Sequence, residues 1–566
     1  MKRTTACFLA AMTAFATATQ AADIFVAPEG RGAMTGADWS NARKGTLDGY
    51  SGVRAAIVAA VAGGATEVNV YFAGGAYSIT NQMSLSSISV PVKLSGGYLA
   101  ETDGSLAKGE TETTFTRTAN NARHLYASAL SALSVDGIVF RNGKVVGNTE
   151  GGAFYLSSST TSISNCVFSG NTIAKASSSY YTGKGAAIYS AGGSLFVRKC
   201  SFSSNYSTGG WNAKWGGALC TLNTVLLIDG CTFTGNYVSS PQGGSIGGAV
   251  CVNGNRATIR NSSFENNYAS NDSTSSTGYA AGGALAVRSA TRFEMSDCQL
   301  TKNYVKVTNK TRTSGVTSGC YFDDFNASDG VMTAVVERCV FDSRSVPATG
   351  RTKSDILLNC GALFMTNCLV MGATGDLETM KDSVRAQREA FPSGNKSQLA
   401  DLVSGKGVLV VSTCFMELVN CTIADGKDVG AEAVGSDSEL TLKNCISWGH
   451  SVSGVVNAAS VAYSCIQEPH EGAGNFVADP HWTGAPYYHL LTKRAGGAIT
   501  DGWFGGTYNS LKTEKNSPCL DVGAPGSAGL DLEPHPNGRH VNLGAYGGTP
   551  WATKTLSPPP TTLSVL

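Results

Sequence analysis

The sequence predicts an all-β solenoid, a single-stranded parallel β-helix, on three observations. Glycine-rich triplets followed by an apolar residue recur at Gly151 (GGAF), Gly185 (GAAI), Gly216 (GGAL), Gly247 (GGAV) and Gly282 (GGAL). Fifteen residues after each of the first four, and sixteen after the fifth, comes a slot holding Cys166, Cys200, Cys231, Ser262 and Cys298. Two residues on stand Phe168, Phe202, Phe233, Phe264 and Leu300, and three beyond those Asn171, Asn205, Asn236, Asn267 and Asn303. Units of 31 to 36 residues are too small to bury an apolar face alone, so they must stack.

The phase of the apolar residues identifies the unit. Around Cys231 they fall at Leu226, Ile228, Cys231 and Phe233, a strand alternation broken once, at Asp229 and Gly230. The break is a corner. It recurs at Ser164 and Asn165, Arg198 and Lys199, Arg260 and Asn261, Ser296 and Asp297, Glu337 and Arg338, Thr366 and Asn367, and Lys443 and Asn444. Two strands joined by a corner, repeated in register, form the wall of a β-helix; a helical solenoid would show a period near 3.6. Slots run from Ile138 through Cys166, Cys200, Cys231, Ser262, Cys298, Cys339, Cys368, Cys421, Cys445 and Cys465. At about 4.8 Å per coil these eleven coils make a rod on the order of 50 Å long.

Nine of the sixteen cysteines fall in that slot. Stacked slots put Cα atoms about 4.8 Å apart, but parallel side chains do not reach the Cβ separation of about 3.8 Å that a disulfide prefers. A ladder of free thiols is the expectation. No CxxC or Cys/His pair points to metal or redox chemistry. The Asn after each Phe is expected at a tight turn, where its tolerance of the left-handed conformation and amide hydrogen bonds between coils both help.

Composition agrees. Of 566 residues 68 are Gly and 15% are charged, with 42 Lys plus Arg against 41 Asp plus Glu, so no net field attracts nucleic acid. The 42% hydrophobic content supports a large core and excludes disorder. Residues 1–21 read as a signal peptide: Lys2 and Arg3, an apolar stretch from Ala6 to Ala18, and a small-x-small site at Thr19, Gln20, Ala21, with the mature chain starting at Ala22. No later segment reaches the 18 or so apolar residues of a spanning helix, so a secreted or cell-surface protein without a transmembrane segment is expected.

At these residues the chain resembles the right-handed parallel β-helix superfamily, which contains pectate lyases and other polysaccharide-active enzymes. Its GGA[ILV] and FxxN pairs, Gly216 with Phe233 and Asn236 for example, resemble the polymorphic outer-membrane protein repeats of bacterial adhesins over roughly residues 151 to 303. Nothing after Cys465 resembles the autotransporter barrel that those adhesins carry. DIFVAPEGRG from Asp23, the apolar run Val53 to Val61 and VKLSGGY from Val92 resemble the opening strand, capping helix and first coils of secreted bacterial β-helix proteins. ADPHW from Ala478, HLL from His489, SPCLDVG from Ser517 and EPHPNGRHVNLGAYGGT from Glu533 resemble their terminal module. The resemblance implies a right-handed β-helix with an N-terminal capping helix and an irregular C-terminal cap. Its expected parts are an N-terminal cap and first coils over 22–130, coils over 131–470, a capping module over 471–552 and a tail over 553–566.

Function is sought where spacing varies, between slot and next triplet. The excursions Thr172–Lys184, Tyr206–Trp215, Tyr237–Ile246, Tyr268–Ala281 and Tyr304–Ser318 emerge from one corner and make a recognition surface. Tyr206, Tyr237, Tyr268 and Tyr304 follow the turn Asn directly, and Trp211 and Trp215 share one excursion. Such aromatic rows stack on sugar rings or pack on a protein ligand; alternatively they shield the corner. These six are the candidate binding residues, for a polysaccharide or a surface protein.

A lyase would need a Lys or Arg base and carboxylates holding Ca²⁺, and a hydrolase two carboxylates about 5 to 9.5 Å apart. Charge gathers at Asp323, Asp324, Asp329, Arg338, Asp342, Arg344, Arg351, Lys353 and Asp355, of which Asp323, Asp324, Arg351 and Lys353 are the catalytic candidates. Their spacing matches no pectate lyase or polygalacturonase signature, and solvated surface charge is the simpler account. The insertion 375–407 contains DLETMKDSVRAQREAF, a charged, helix-prone stretch suited to a lid or partner contact or to a peripheral helix. Six of seven histidines lie between His450 and His540 without HExxH spacing, so no metal or cofactor is expected beyond the Ca²⁺ of a lyase. A non-catalytic, adhesin-like binding protein is the leading expectation, and a polysaccharide lyase or hydrolase working near 319–355 the alternative.

Overall fold

The computed structural model describes residues 20–47, 52–101, 103, 105–118, 122–146, 150–174, 182–271, 280–307, 317–323, 332–346, 354–359, 361–372, 406–411, 414–426, 428–435, 437–493, 498–500, 507–509, 513–535 and 537–554. They form a parallel β-helix. The chain winds through a 23-stranded sheet, A, which most coils cross in two consecutive strands, and a 13-stranded sheet, B. Between B and the next crossing of A, the coils of residues 144 to 307 add a six-stranded sheet, C, and a four-stranded sheet, D. All four are built from parallel pairs, in register as in Phe168↔Phe202↔Phe233↔Phe264 of sheet B apart from local shifts in sheet A such as that at Asn255 and Arg256.

The corners fall where the alternation breaks. The second residue of each predicted pair is left-handed: Asn165 (φ 53°), Lys199 (50°), Asn261 (50°), Asp297 (54°), Arg338 (50°), Asn367 (53°), Asn444 (55°) and Gly230 (65°). Asn and Asp tolerate this conformation, whereas Lys199 and Arg338 accept roughly 1–2 kcal/mol of local strain that the surrounding ladder offsets. Another tight point is the glycine pair. Gly216 has φ +62°, and a Cβ on Gly217 would lie 2.1 Å from the Gly248 carbonyl oxygen of the next coil.

The interior repeats column by column. Phe140, Phe168, Phe202, Phe233 and Phe264 stack with ring centroids 5.2, 5.0, 4.7 and 4.7 Å apart, all buried. The slot thiols stay free, each turned back onto its own strand: Cys166 Sγ donates to Ser164 O at 3.1 Å and Cys200 Sγ to Arg198 O at 3.2 Å. The last slot differs from the expected one. Cys465 is the register partner of Ile446, so the residue stacked on Cys445 is Ser464, whose hydroxyl accepts from Cys445 N at 3.0 Å. Ser262 does the same for Cys231 N at 3.1 Å. Cys465 therefore faces outward.

The Asn column also departs from expectation. The left-handed turn residue is the one before each Asn, namely Gly170, Ser204, Gly235, Asn266 and Lys302. The Asn itself points inward and is buried. Asn236 Nδ2 donates to Asn267 Oδ1 (3.0 Å) and Phe202 O (2.9 Å), while its Oδ1 accepts from Asn205 N (3.0 Å) and Asn205 Nδ2 (2.9 Å). This amide ladder lies at the turn between the main core and a small apolar cluster of Val238, Ala269, Ala280 and Val305 within the C and D flank.

Both ends are covered. The helix Val53–Ala62 packs Val53 and Ile57 into the main core at the N-terminal end. At the other end Phe476 pairs with Cys465, and the remainder of the C-terminal module lies along the outer face of sheet B, where Tyr488, Ala545 and Tyr546 pack on Val340, Leu369, Met371 and Ala424. The corner residues Asn367 and Asn444 hold it: Asn367 Nδ2 donates to Gly547 O at 2.7 Å and Asn444 Oδ1 accepts from Ala524 N at 2.7 Å. Among the described residues no helix is long and apolar enough to cross a membrane.

Candidate binding surface

The predicted excursions are only partly loops. Each begins with a strand of sheet C and four end with a strand of sheet D, so the tyrosines sit on strands: Tyr206–Thr208, Tyr237–Ser240, Tyr268–Asn271 and Tyr304–Val307. Alternation fixes their direction. Ser207, Val238, Ala269 and Val305 are buried in the flank, so Tyr206, Tyr237, Tyr268 and Tyr304 face out. They are register partners, with ring centroids 4.8, 4.7 and 5.0 Å apart and planes within 12° of parallel.

Stacking has a chemical consequence. Inside the column each ring face is covered by the next ring, so a sugar cannot lie flat on Tyr237 or Tyr268. What remains for a ligand is ring edges and a row of phenol hydroxyls spaced by the coil repeat. Partial burial raises the Tyr237 and Tyr304 phenols above their usual range, which keeps them protonated donors.

The two tryptophans are not in this column. Trp211 lies half-buried in the loop before sheet D. Trp215 faces out from sheet D toward a second surface, the seam between sheets D and A. Lys184 Nζ from the preceding coil lies 5.6 Å from its ring centroid, and Arg288 Cζ from a later coil 5.1 Å. Lys184 in turn pairs with Glu150 at 3.4 Å, and Arg288 Nε faces Asp323 Oδ2 at 3.8 Å. The seam is thus a chain of cation–aromatic and ionic contacts running along the rod.

Asp323, a catalytic candidate, belongs to that chain. It is 3% exposed, and its Oδ1 accepts from Asn359 Nδ2 at 3.0 Å. Its carboxylate thus lies within the seam, held by Asn359 and facing Arg288. Among the described residues no group of three or more His, Cys, Asp or Glu converges as a cation site. Asp324, Arg351 and Lys353 lie outside the described residues, as does nearly all of the 375–407 insertion. The neighbouring charges are paired: Arg338 with Asp297 at 2.7 Å, and Arg344 with Asp342 at 2.7 Å.

Three side chains of these surfaces were not singled out from sequence. Lys184 stands immediately before a glycine triplet, as the predicted Trp215 does one coil later, a position that spacing alone could have marked as a column. Arg288 reaches Trp215 across coils, which spacing does not reveal. Lys214, inward-facing on sheet D, is fully buried with its ammonium donating to Asn212 O, and burial pushes it down to about 8. It has the acidity of a general base without access to a ligand.

No known protein family and no curated protein matches this chain. Among solved structures it is similar to the pectate lyase Pel9A, with 12% sequence identity over 93% of this chain and 96% of that chain, and a TM-score of 0.33. The parallel β-helix assignment rests on the strand registers themselves.

Proposed function

We propose that this protein is an exported, non-catalytic β-helix that holds an extended polysaccharide along the outer face of sheet C. The observation that supports this reading is the tyrosine column, four in-register phenols on the flank from which the loops project. A ligand running parallel to the axis meets the same hydroxyl and ring edge at every coil, so weak contacts add along its length. A surface protein segment is the other ligand that such a row accommodates.

A glycan panel scored for retention and for new unsaturated or reducing ends tests the reading. Retention without products is expected. Tyr237→Phe with Tyr268→Phe removes two hydroxyls, which at about 1 kcal/mol each weakens retention on the order of tenfold or more. Retention unchanged in that variant rejects the column, and products point to the lyase or hydrolase alternative near 319–355. The export part rests on Lys2, Arg3 and the apolar stretch after them. Secreted material whose amino terminus is Ala22 supports it; retention in the cytoplasm with Met1 in place overturns it.

A further inference from the structure

We propose that Cys465 and Cys519 form a disulfide that fastens the C-terminal module to the last coil. The fourteen described cysteines are all buried, but their settings differ. Slot thiols are in-register neighbours on parallel strands, each bonded to the carbonyl two residues before it, as Cys445 Sγ is to Lys443 O at 3.3 Å. Their side chains run parallel, the arrangement least suited to bridging.

Cys465 and Cys519 are not so related. Because Ser464 takes the slot, Cys465 is turned out of the lumen, and Cys519 comes down on it from the irregular chain of the module. The two lie in one buried cluster with Ile446, Leu490 and Leu543, close enough for each thiol to act on the other.

The step balances with a disulfide oxidant such as glutathione disulfide or the active-site disulfide of a thiol oxidase. The Cys465 thiolate attacks one oxidant sulfur and expels a thiolate, giving a mixed disulfide. The Cys519 thiolate then attacks the Cys465 sulfur and expels the second. Two protein thiols lose two protons and two electrons, and the oxidant becomes two thiols. Since both cysteines are 0% exposed, the exchange belongs to folding, before the module is seated.

The full chain is refolded in a glutathione disulfide buffer, alkylated and digested without reduction. A Cys465–Cys519 linked peptide is expected, with slot cysteines carrying the alkyl group. Protease cleavage within the module should be at least about tenfold slower for oxidised than reduced protein, a ratio that Cys519→Ser abolishes. Both cysteines alkylated in folded protein, or Cys465 linked elsewhere, overturns the pairing. In cells the bond also requires the proposed export; a link formed in vitro and absent from cell-derived protein rejects export and leaves the pairing standing.

Discussion

The coils of residues 144–307 and those of 332–466 obey one rule at their corners and differ in how they close. In both, a left-handed residue is followed by a small slot residue, as at Lys199–Cys200 and Asn420–Cys421. The first set adds sheets C and D; among the described residues the second has no strand of either sheet and gives its outer B face to the C-terminal module. Wide coils need an interior polar spine, because an extra turn brings backbone groups inside that no strand satisfies. The Asn ladder supplies it. Five residues past the slot, the narrow coils carry Arg344, Ala373, Gly426 and His450 in place of Asn. His450 keeps part of the role: its Nδ1 accepts from Gly426 N at 3.1 Å, as Asn Oδ1 accepts from the preceding coil. The corners have changed use as well. Asn165 and Asn261 bond the carboxylates of Asp136 and Asp229 one coil away, whereas Asn367 and Asn444 bond the module.

The sharpest test removes the spine. Asn236→Ala strands groups on three residues and is expected to cost about 5 kcal/mol, read as a shift in the urea midpoint. A cost under about 1 kcal/mol would mean that the ladder is incidental to closure. Next, Phe233→Ala opens a cavity between two stacked rings and should cost about 4 kcal/mol, against about 3 kcal/mol for Phe341→Ala in the narrow coils, whose register neighbours are Leu300 and Val370. Equal costs would erase the packing contrast.

The third test uses pH. Burial pushes His450 down to about 4 from an ordinary 6.5, so the folded state binds fewer protons between those values. Its contribution is present above pH 6.5 and is lost as pH falls through 4, up to roughly 3 kcal/mol. His450→Asn should flatten that acid slope while keeping an acceptor for Gly426 N. An unchanged slope, measured by denaturation from pH 7 to 4, places the proton uptake elsewhere.

Much of this was readable beforehand because a β-helix writes its cross-section into the chain. The alternation break at Asp229–Gly230 is a geometric necessity of a corner, so corners, slots and the Phe column could all be placed. The slip at Cys465 came from matching residue type. Every slot lies three residues after the last inward residue of sheet A, as Cys231 does after Ile228, and the same step from Val461 lands on Ser464. Sheet C was hidden because its strands are short and composed like loops; Tyr206–Thr208 is followed at once by two glycines. The contacts of Trp215 and Asp323 depend on Arg288 reaching along the seam, a path no local pattern encodes.

Two consecutive 31-residue steps, Gly185 to Gly216 and Gly216 to Gly247, offer matching surfaces above and below. A tandem copy of such a segment would slot between its neighbours with every contact already provided for. Length can therefore grow or shrink by recombination within the gene, in whole increments, without redesigning either terminus. A binding flank that needs more reach has a ready evolutionary route to it.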